Sequence, residues 1–207
     1  TTVFEDFEHV TEGWGPFVKG NAGGSTDPRT VLAPLNAPYT QRGWTAPNGR
    51  VKVTDDVVAG HWSLKAHSEN QGLVYRTVPQ TVPLQAGHRY RVSFDYESTD
   101  AGAYSWVTGY TTLGATEPVD TYLDTTDIPQ QTTPTHFTEE LTAGACGEYF
   151  VGLYKNQGGG EQVDFSLDNF RVEDLGVAQT QPSCMTPQLS VEGSLVTGQA
   201  GTVRSTV

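Results

Sequence analysis

The sequence predicts an all-β protein: a jelly-roll β-sandwich with a C-terminal extended tail. Three observations predict it. Short runs in which apolar and polar residues alternate recur along the chain, the pattern of strands with one buried face. Glycine and proline, 23 and 12 of the 207 residues, punctuate those runs as turn residues do. No stretch longer than about two turns carries helical periodicity. Eight or more short strands without intervening helices suit two packed antiparallel sheets with short, protected edges.

In the opening run, Phe4-Glu5-Asp6-Phe7-Glu8, acids alternate with phenylalanines, as around Asp168 in Phe165 to Val172, and these first and last strands are expected to lie side by side. Gly13-Trp14-Gly15-Pro16 and Lys19 to Gly24 are turn signals on either side of a short strand at Phe17-Val18. Asp27-Pro28 opens an extended piece at Val31-Leu32-Ala33, and Pro34 to Arg50 is a long irregular excursion holding Tyr39, Arg42 and Trp44. Loops of that length are functional or disordered, and the aromatics argue against disorder. From Val57 the pattern is regular: Trp62, Leu64 and Ala66 fall in phase, and Leu73 to Thr77 follow the turn Asn70-Gln71-Gly72. The strongest strand has Tyr90, Val92, Phe94 and Tyr96 on one face and Arg89, Arg91, Ser93 and Asp95 on the other. Tyr104, Trp106 and Tyr110 share a face of the next strand, and Thr111 to Thr135 reads as a Thr/Pro-rich connection. Strands at His136–Leu141, Tyr149–Tyr154 and Val163–Val172 complete the sandwich, residues 1–176. Residues 177–188 read as a linker, and 189–207 as the start of a truncated second β-domain or an ordered tail.

A net charge of −12, with only scattered lysines and arginines, argues against nucleic acid and anionic membranes as partners. No apolar run approaches the length of a membrane span, so membrane insertion is not expected. The composition suits an extracellular or cell-surface protein. No leader is visible, and the chain starts inside a strand-like run, so it reads as an excised piece of a longer protein. Cys146 and Cys184 either form one bridge pinning the tail to the domain or are two unrelated thiols. Five histidines show no metal-ligand spacing, no G-x-S-x-G elbow is present, and nothing pairs two of the acids for glycoside hydrolysis. The fragment is therefore expected to be non-catalytic.

Three segments follow one another in a suggestive order: Gly60-His61-Trp62-Ser63-Leu64-Lys65, Glu69 to Thr77, and Tyr90 to Tyr96. With Asn36 to Gln41 and Leu167-Asp168-Asn169-Phe170, they resemble the galactose-binding-like β-sandwich module of bacterial endo-α-N-acetylgalactosaminidases, over about residues 3 to 175. The resemblance implies a jelly roll beside an enzyme that removes Gal-β1,3-GalNAc from serine or threonine of mucin-type glycoproteins. The catalytic carboxylates of such a parent lie in a barrel, and this chain has no β/α alternation to build one. The implied partners are galactose/GalNAc-type glycans or the parent catalytic domain.

Two sets of candidate site residues follow. Asp168, between Leu167 and Phe170, is a carboxylate in an apolar strand and needs a cation or a set of donors. Many carbohydrate-binding sandwiches hold a structural calcium between the first strand, an early loop and the last strand. Calcium takes roughly six to eight oxygen ligands, and the candidates are Asp6, Glu8, Asp27 and Asp168. The competing reading is that Asp168 caps a turn and the first-strand acids face water. For a sugar, aromatic faces and planar polar groups are needed. Tyr39, Arg42 and Trp44 form one such set, with Asn70 as a nearby amide; Tyr104 and Trp106 form another, as a platform with Tyr110. Core packing is the favoured alternative for that platform and the expectation for Trp62, while Trp14 could face either way.

Overall fold

The computed structural model describes residues 2–10, 14–20, 57–67, 71–112, 120–157 and 164–180, with the backbone of 188–192 and 202–206. These residues contain no helix and twelve strands. They are β1 (Thr2–Glu5), β2 (Phe17–Lys19), β3 (Leu64–His67), β4 (Gly72–Thr77), β5 (His88–Ser98), β6 (Tyr104–Thr111), β7 (Asp120–Asp127), β8 (Gln131–Thr142), β9 (Glu148–Lys155), β10 (Asp164–Val177), β11 (Gln188–Glu192) and β12 (Thr202–Thr206).

Two five-stranded antiparallel sheets make the sandwich. The first runs β1-β10-β5-β8, with β3 also paired to β10, and the second runs β2-β4-β9-β6-β7. As expected, the first and last strands of the sandwich lie side by side, Glu5 opposite Phe170 and Val3 opposite Val172. One side of β10 serves two partners in succession: β3 opposite 164–167 and β1 opposite 170–173. Asp168 and Asn169 fall at the junction, where the ladder to β5 is also broken by a bulge between Asp168 and Arg171.

The core lies between the sheets and is aromatic. Phe94 stacks on Phe137 at 4.7 Å and packs against Trp106 at 4.6 Å, while Phe17 meets Phe170 at 4.7 Å. The alternation read in β5 holds, with Tyr90, Val92, Phe94 and Tyr96 all inside. Trp14 is also inside.

Several expectations are corrected. Tyr104 and Trp106 are fully buried in this core, so they form no platform for a ligand; their phase faces the opposite sheet. Trp62 is half-buried outside the core, because it precedes β3 rather than belonging to it. The stretch from Thr111 to Thr135 is more than a connection, since β7 and the start of β8 lie in it. At 165–168 both faces of β10 are buried, Ser166 and Asp168 as well as Phe165 and Leu167, because the segment 57–63 covers the second face at Asp168. Cys146 is disulfide-bonded; Cys184, the other cysteine of the chain, lies outside the described residues, as does the extended piece at 31–33. In the tail, β11 and β12 pair antiparallel, Gln188 opposite Thr206.

Candidate functional site

Two places concentrate polar chemistry. The first is the junction on β10. Asp168 is 1 % exposed, and its Oδ2 accepts a 2.6 Å hydrogen bond from the Ser63 hydroxyl while Oδ1 accepts the Asn169 amide at 2.7 Å. The Ala59 amide donates to it as well. Glu8, just past β1, accepts the amides of His61 at 2.7 Å and Trp62 at 2.9 Å on Oε1, and its Oε2 lies 3.2 Å from His61 Nδ1. Two carboxylates, one beside each terminal strand of the sandwich, thus clasp the same loop. Ser63 completes the arrangement by accepting the Val58 amide at 2.9 Å.

The local backbone is shaped for this contact. Phe7 and Asn169, one residue from Glu8 and from Asp168, are the described non-glycine residues with positive φ, at 58° and 49°. Asn tolerates that region; a phenylalanine there is strained and held by its surroundings. Gly60 also has positive φ, 60°, and a Cβ on it would collide with Glu8 Oε1, so the loop needs glycine at that point. Burial, then the nearby charge of Glu8, pushes Asp168 up to about 6 against the pull of its donors. Glu8 moves the other way, held below the usual range chiefly by the His61 amide.

Among the described residues, no three His, Cys, Asp or Glu side chains converge as a metal site would require. Asp6 Oδ1 accepts the Glu8 amide at 3.2 Å, a local turn, and Asp27 lies outside the described residues. The structure therefore brings Glu8 and Asp168 together on one loop and leaves Asp6 beside them.

The second place is the outward face of the second sheet. Inward Tyr149, Val151 and Leu153 of β9 alternate with outward Phe150, Gly152 and Tyr154. Arg76 of β4 reaches across this face with its guanidinium 4.0 Å above the Phe150 ring. Its Nη1 bonds Thr111 Oγ1 at 2.7 Å and Asp120 Oδ1 at 3.2 Å, tying β4 to the ends of β6 and β7, and its Nε donates to Thr77 O. Arg76 is fully buried, which lowers its affinity for its proton; Asp120 opposes that shift.

Beyond this tether the face opens. Tyr122 of β7 is 38 % exposed and meets the half-buried Tyr154 edge-on at 5.4 Å. The next row of the ladder sets Tyr154 beside Ser105 and Asp127, whose carboxylate accepts the Ser105 hydroxyl at 2.7 Å. That hydroxyl also lies 3.0 Å from Asn156 Oδ1. Glycines at 109 and 152 keep the floor of this face flat, because a Cβ at either would run into backbone oxygen. Burial, then the charge of Asp120, pushes the Tyr122 hydroxyl up to about 12, so it stays a neutral phenol. An exposed ring packed on a half-buried one, beside a carboxylate and an amide, offers what the C–H faces and hydroxyls of a sugar require.

The sequence-based choices for this role fall elsewhere. Tyr39, Arg42, Trp44 and Asn70 lie outside the described residues, and Tyr104 and Trp106 are core. Tyr122, Tyr154, Asp127 and Asn156 were missed. Tyr154 could have been found from the phase of β9, but Tyr122 sits among threonines and aspartates with no apolar alternation to mark a strand.

Comparison with known proteins gives the chain its relatives. It is 50 % identical over 186 residues to a protein of Renibacterium salmoninarum provisionally named endo-α-N-acetylgalactosaminidase. That match covers 90 % of this chain but only 12 % of the relative. In fold, the C-terminal family 22 carbohydrate binding module of Clostridium thermocellum Xyn10B superposes with a TM-score of 0.52 at 12 % identity, over 87 % of this chain and 95 % of that one. The family 22 and catalytic modules of the same organism's endo-1,4-β-D-xylanase 10B, complexed with xylohexaose, give 0.50 at 11 % identity, over 87 % of this chain and 30 % of that one. At such identities the likeness is one of fold, and it agrees with the two-sheet sandwich described above. A family model described as galactose-binding domain-like matches residues 1–171, and the chain belongs to that family.

Proposed function

We propose that this domain is a non-catalytic carbohydrate-binding module of a secreted or cell-surface glycosidase of the endo-α-N-acetylgalactosaminidase type, acting on mucin-type O-glycans. The observation that carries the reading is the exposed Tyr122 meeting the half-buried Tyr154, which lies beside Asp127 and Asn156 on the outward face of the second sheet. A ring face or edge would take the apolar side of galactose or N-acetylgalactosamine, and Asp127 and Asn156 would take its hydroxyls. The identity to the Renibacterium protein over a small part of its length supports an accessory role within a larger enzyme. Titration with galactose, N-acetylgalactosamine and Gal-β1,3-GalNAc, followed by NMR, tests it. Shifts at Tyr122, Tyr154 and Asn156 are expected. No response at millimolar sugar, with calcium present, would leave the other reading, a spacer packed on the catalytic barrel, which the burial of Leu73, Val107 and Phe150 on the same face favours.

We also propose that Glu8 and Asp168 hold a structural calcium ion, with Asp6 and Asp27 as further candidate ligands. What supports the reading is that two carboxylates hold one loop and that one of them, buried and made harder to ionise by the other, would gain from a hard cation. Bound there, the ion would fix the loop at 57–63 against the first and last strands. Thermal melts with and without chelator, paired with calcium titration by calorimetry, test this; an unchanged midpoint and no heat of binding would remove the ion from the account.

A further inference from the structure

The polar row beside Tyr154 holds more hydrogen-bond acceptors than donors. Ser105, fully buried on β6, has one hydroxyl proton and faces two oxygens, Asp127 Oδ1 at 2.7 Å and Asn156 Oδ1 at 3.0 Å. Whichever of them takes the proton, the other meets the hydroxyl oxygen as acceptor to acceptor. Turning the Asn156 amide over does not repair this. Its Nδ2 donates to Gly102 O at 3.0 Å, and reversal would set Oδ1 against that carbonyl. The main chain holds residue 156 in place as well, its amide donating to Ala103 O at 2.9 Å and its carbonyl accepting Gln71 Nε2 at 3.2 Å.

No neighbour makes up the deficit. Among the described residues, neither Asp127 Oδ1 nor Asn156 Oδ1 accepts a hydrogen bond from any other group. Lys155, next to Asn156 in the chain, has its ammonium over the core ring of Tyr104, 5.1 Å from the centroid. Arg76 reaches the other way, to Thr111 and Asp120. Asp127 is exposed and Asn156 half-buried, so a molecule arriving from outside can meet both.

We propose that Ser105, Asp127 and Asn156 form a subsite that reads hydrogen-bond donors, so that a bound sugar gives it two neighbouring free hydroxyls. Both oxygens lie within hydrogen-bond distance of the same Ser105 Oγ, close enough together for adjacent hydroxyls of one ring to span them. Asp127 is the specificity-determining residue, and Ser105 positions it from beneath. The class of ligand follows from the direction of the bonds. It is a terminal sugar with that edge unsubstituted, since a glycosidic bond or an O-acetyl group there removes the donor and leaves the acceptor unmatched. This inference rests on the sugar reading above and adds which partner supplies the protons.

The test is NMR titration of the whole chain with the methyl glycosides of galactose and N-acetylgalactosamine, and with analogues in which one hydroxyl at a time is replaced by hydrogen or by fluorine. Fluorine keeps an acceptor and loses the donor. At two adjacent ring positions both replacements are expected to weaken binding tenfold or more, and to the same extent. Asp127→Asn, with folding checked by its amide spectrum, should weaken the parent glycoside about tenfold. It should also abolish the penalty for fluorine at one of those positions, because the new amide donates where the carboxylate accepted. Undiminished binding of every fluorine analogue, or one and the same analogue pattern in wild type and Asp127→Asn, would overturn the donor reading while leaving the sugar reading standing. Failure of both parent glycosides to bind would remove the sugar reading itself, and this inference with it.

Discussion

Asp168 and Arg76 are both charged side chains sealed inside the protein, yet they are provided for in opposite ways. Around Asp168 the donors are supplied by a loop: a hydroxyl at 2.6 Å, an adjacent amide at 2.7 Å, and the Ala59 amide. Among the described residues no counter-charge touches it, and the charge that acts on it, Glu8, has its own sign. Arg76 instead has a charge partner and an aromatic floor, with Asp120 at 3.2 Å and Phe150 at 4.0 Å, but its Nη2 has no hydrogen-bond partner among the described residues. The carboxylate joins two segments about a hundred residues apart in sequence and is sealed from solvent. The guanidinium joins the strands of one sheet and lies under the face where Tyr122 is exposed. Buried charge marks a fastening in both places, and only one of them lies beside an exposed aromatic, Tyr122, on the surface proposed above for a ligand.

The largest effect should come from removing the cation. Arg76→Ala leaves Asp120 unpaired and Phe150 uncovered, and a loss of about 3–5 kcal/mol in urea-unfolding stability is expected. A loss below about 1 kcal/mol would show that the tether carries little and that the two charges are less alike than their burial suggests.

Next is the pH dependence of the metal-free protein. Asp168 binds its proton more tightly folded than unfolded, so its contribution is fully present below about pH 4 and is lost as pH rises through 6. The shift corresponds to about 3 kcal/mol at neutral pH. Urea midpoints from pH 4 to 7.5 in chelator should therefore fall, with a shallower fall in Asp168→Asn; part of the slope remains because Glu139 of β8, pushed up to about 7 chiefly by burial, titrates in the same direction. A profile that rises with pH would mean that Asp168 is ionised and neutralised by a partner.

Ser63→Ala removes one donor from the buried carboxyl and should cost about 1–3 kcal/mol. With Asp168 ionised at pH 7.5 and protonated at pH 4, the cost should shrink at pH 4, and an unchanged cost would mean that it is protonated throughout. Smallest in stability is Tyr122→Ala, within about 0.5–1 kcal/mol of wild type, because the ring is partly exposed at an edge strand. Its sugar affinity should nonetheless drop about tenfold or more by NMR titration. Unchanged affinity would move the binding surface off this face.

The architecture was legible because period-2 alternation is strongest where one face of a strand is buried, as at Tyr90 to Tyr96. The pairing of first with last strand was legible too, since both carry acids among phenylalanines. What failed did so for physical reasons. β7 lies at an edge, half in water, so it needs no apolar alternation and Asp120-Thr121-Tyr122-Leu123 reads as a linker. For Tyr104 and Trp106 core packing was the favoured reading and it holds, but a platform stayed open because a periodic aromatic strand shows which residues share a face and not which face is inside. At Asp168, alternation implied one wet face, and the covering loop comes from about a hundred residues earlier, a distance no local pattern spans.

The position of β10 also bears on how the protein is made. This strand is the last of the sandwich to leave the ribosome, yet β1, β3 and β5 all hydrogen-bond to it. Until it emerges, β5 has β8 on one side and an empty edge on the other, and β1 and β3 have no described partner at all. The first sheet is therefore expected to close in a single late step, after most of the domain has waited with unpaired strands, which makes this a slow, topology-limited folder.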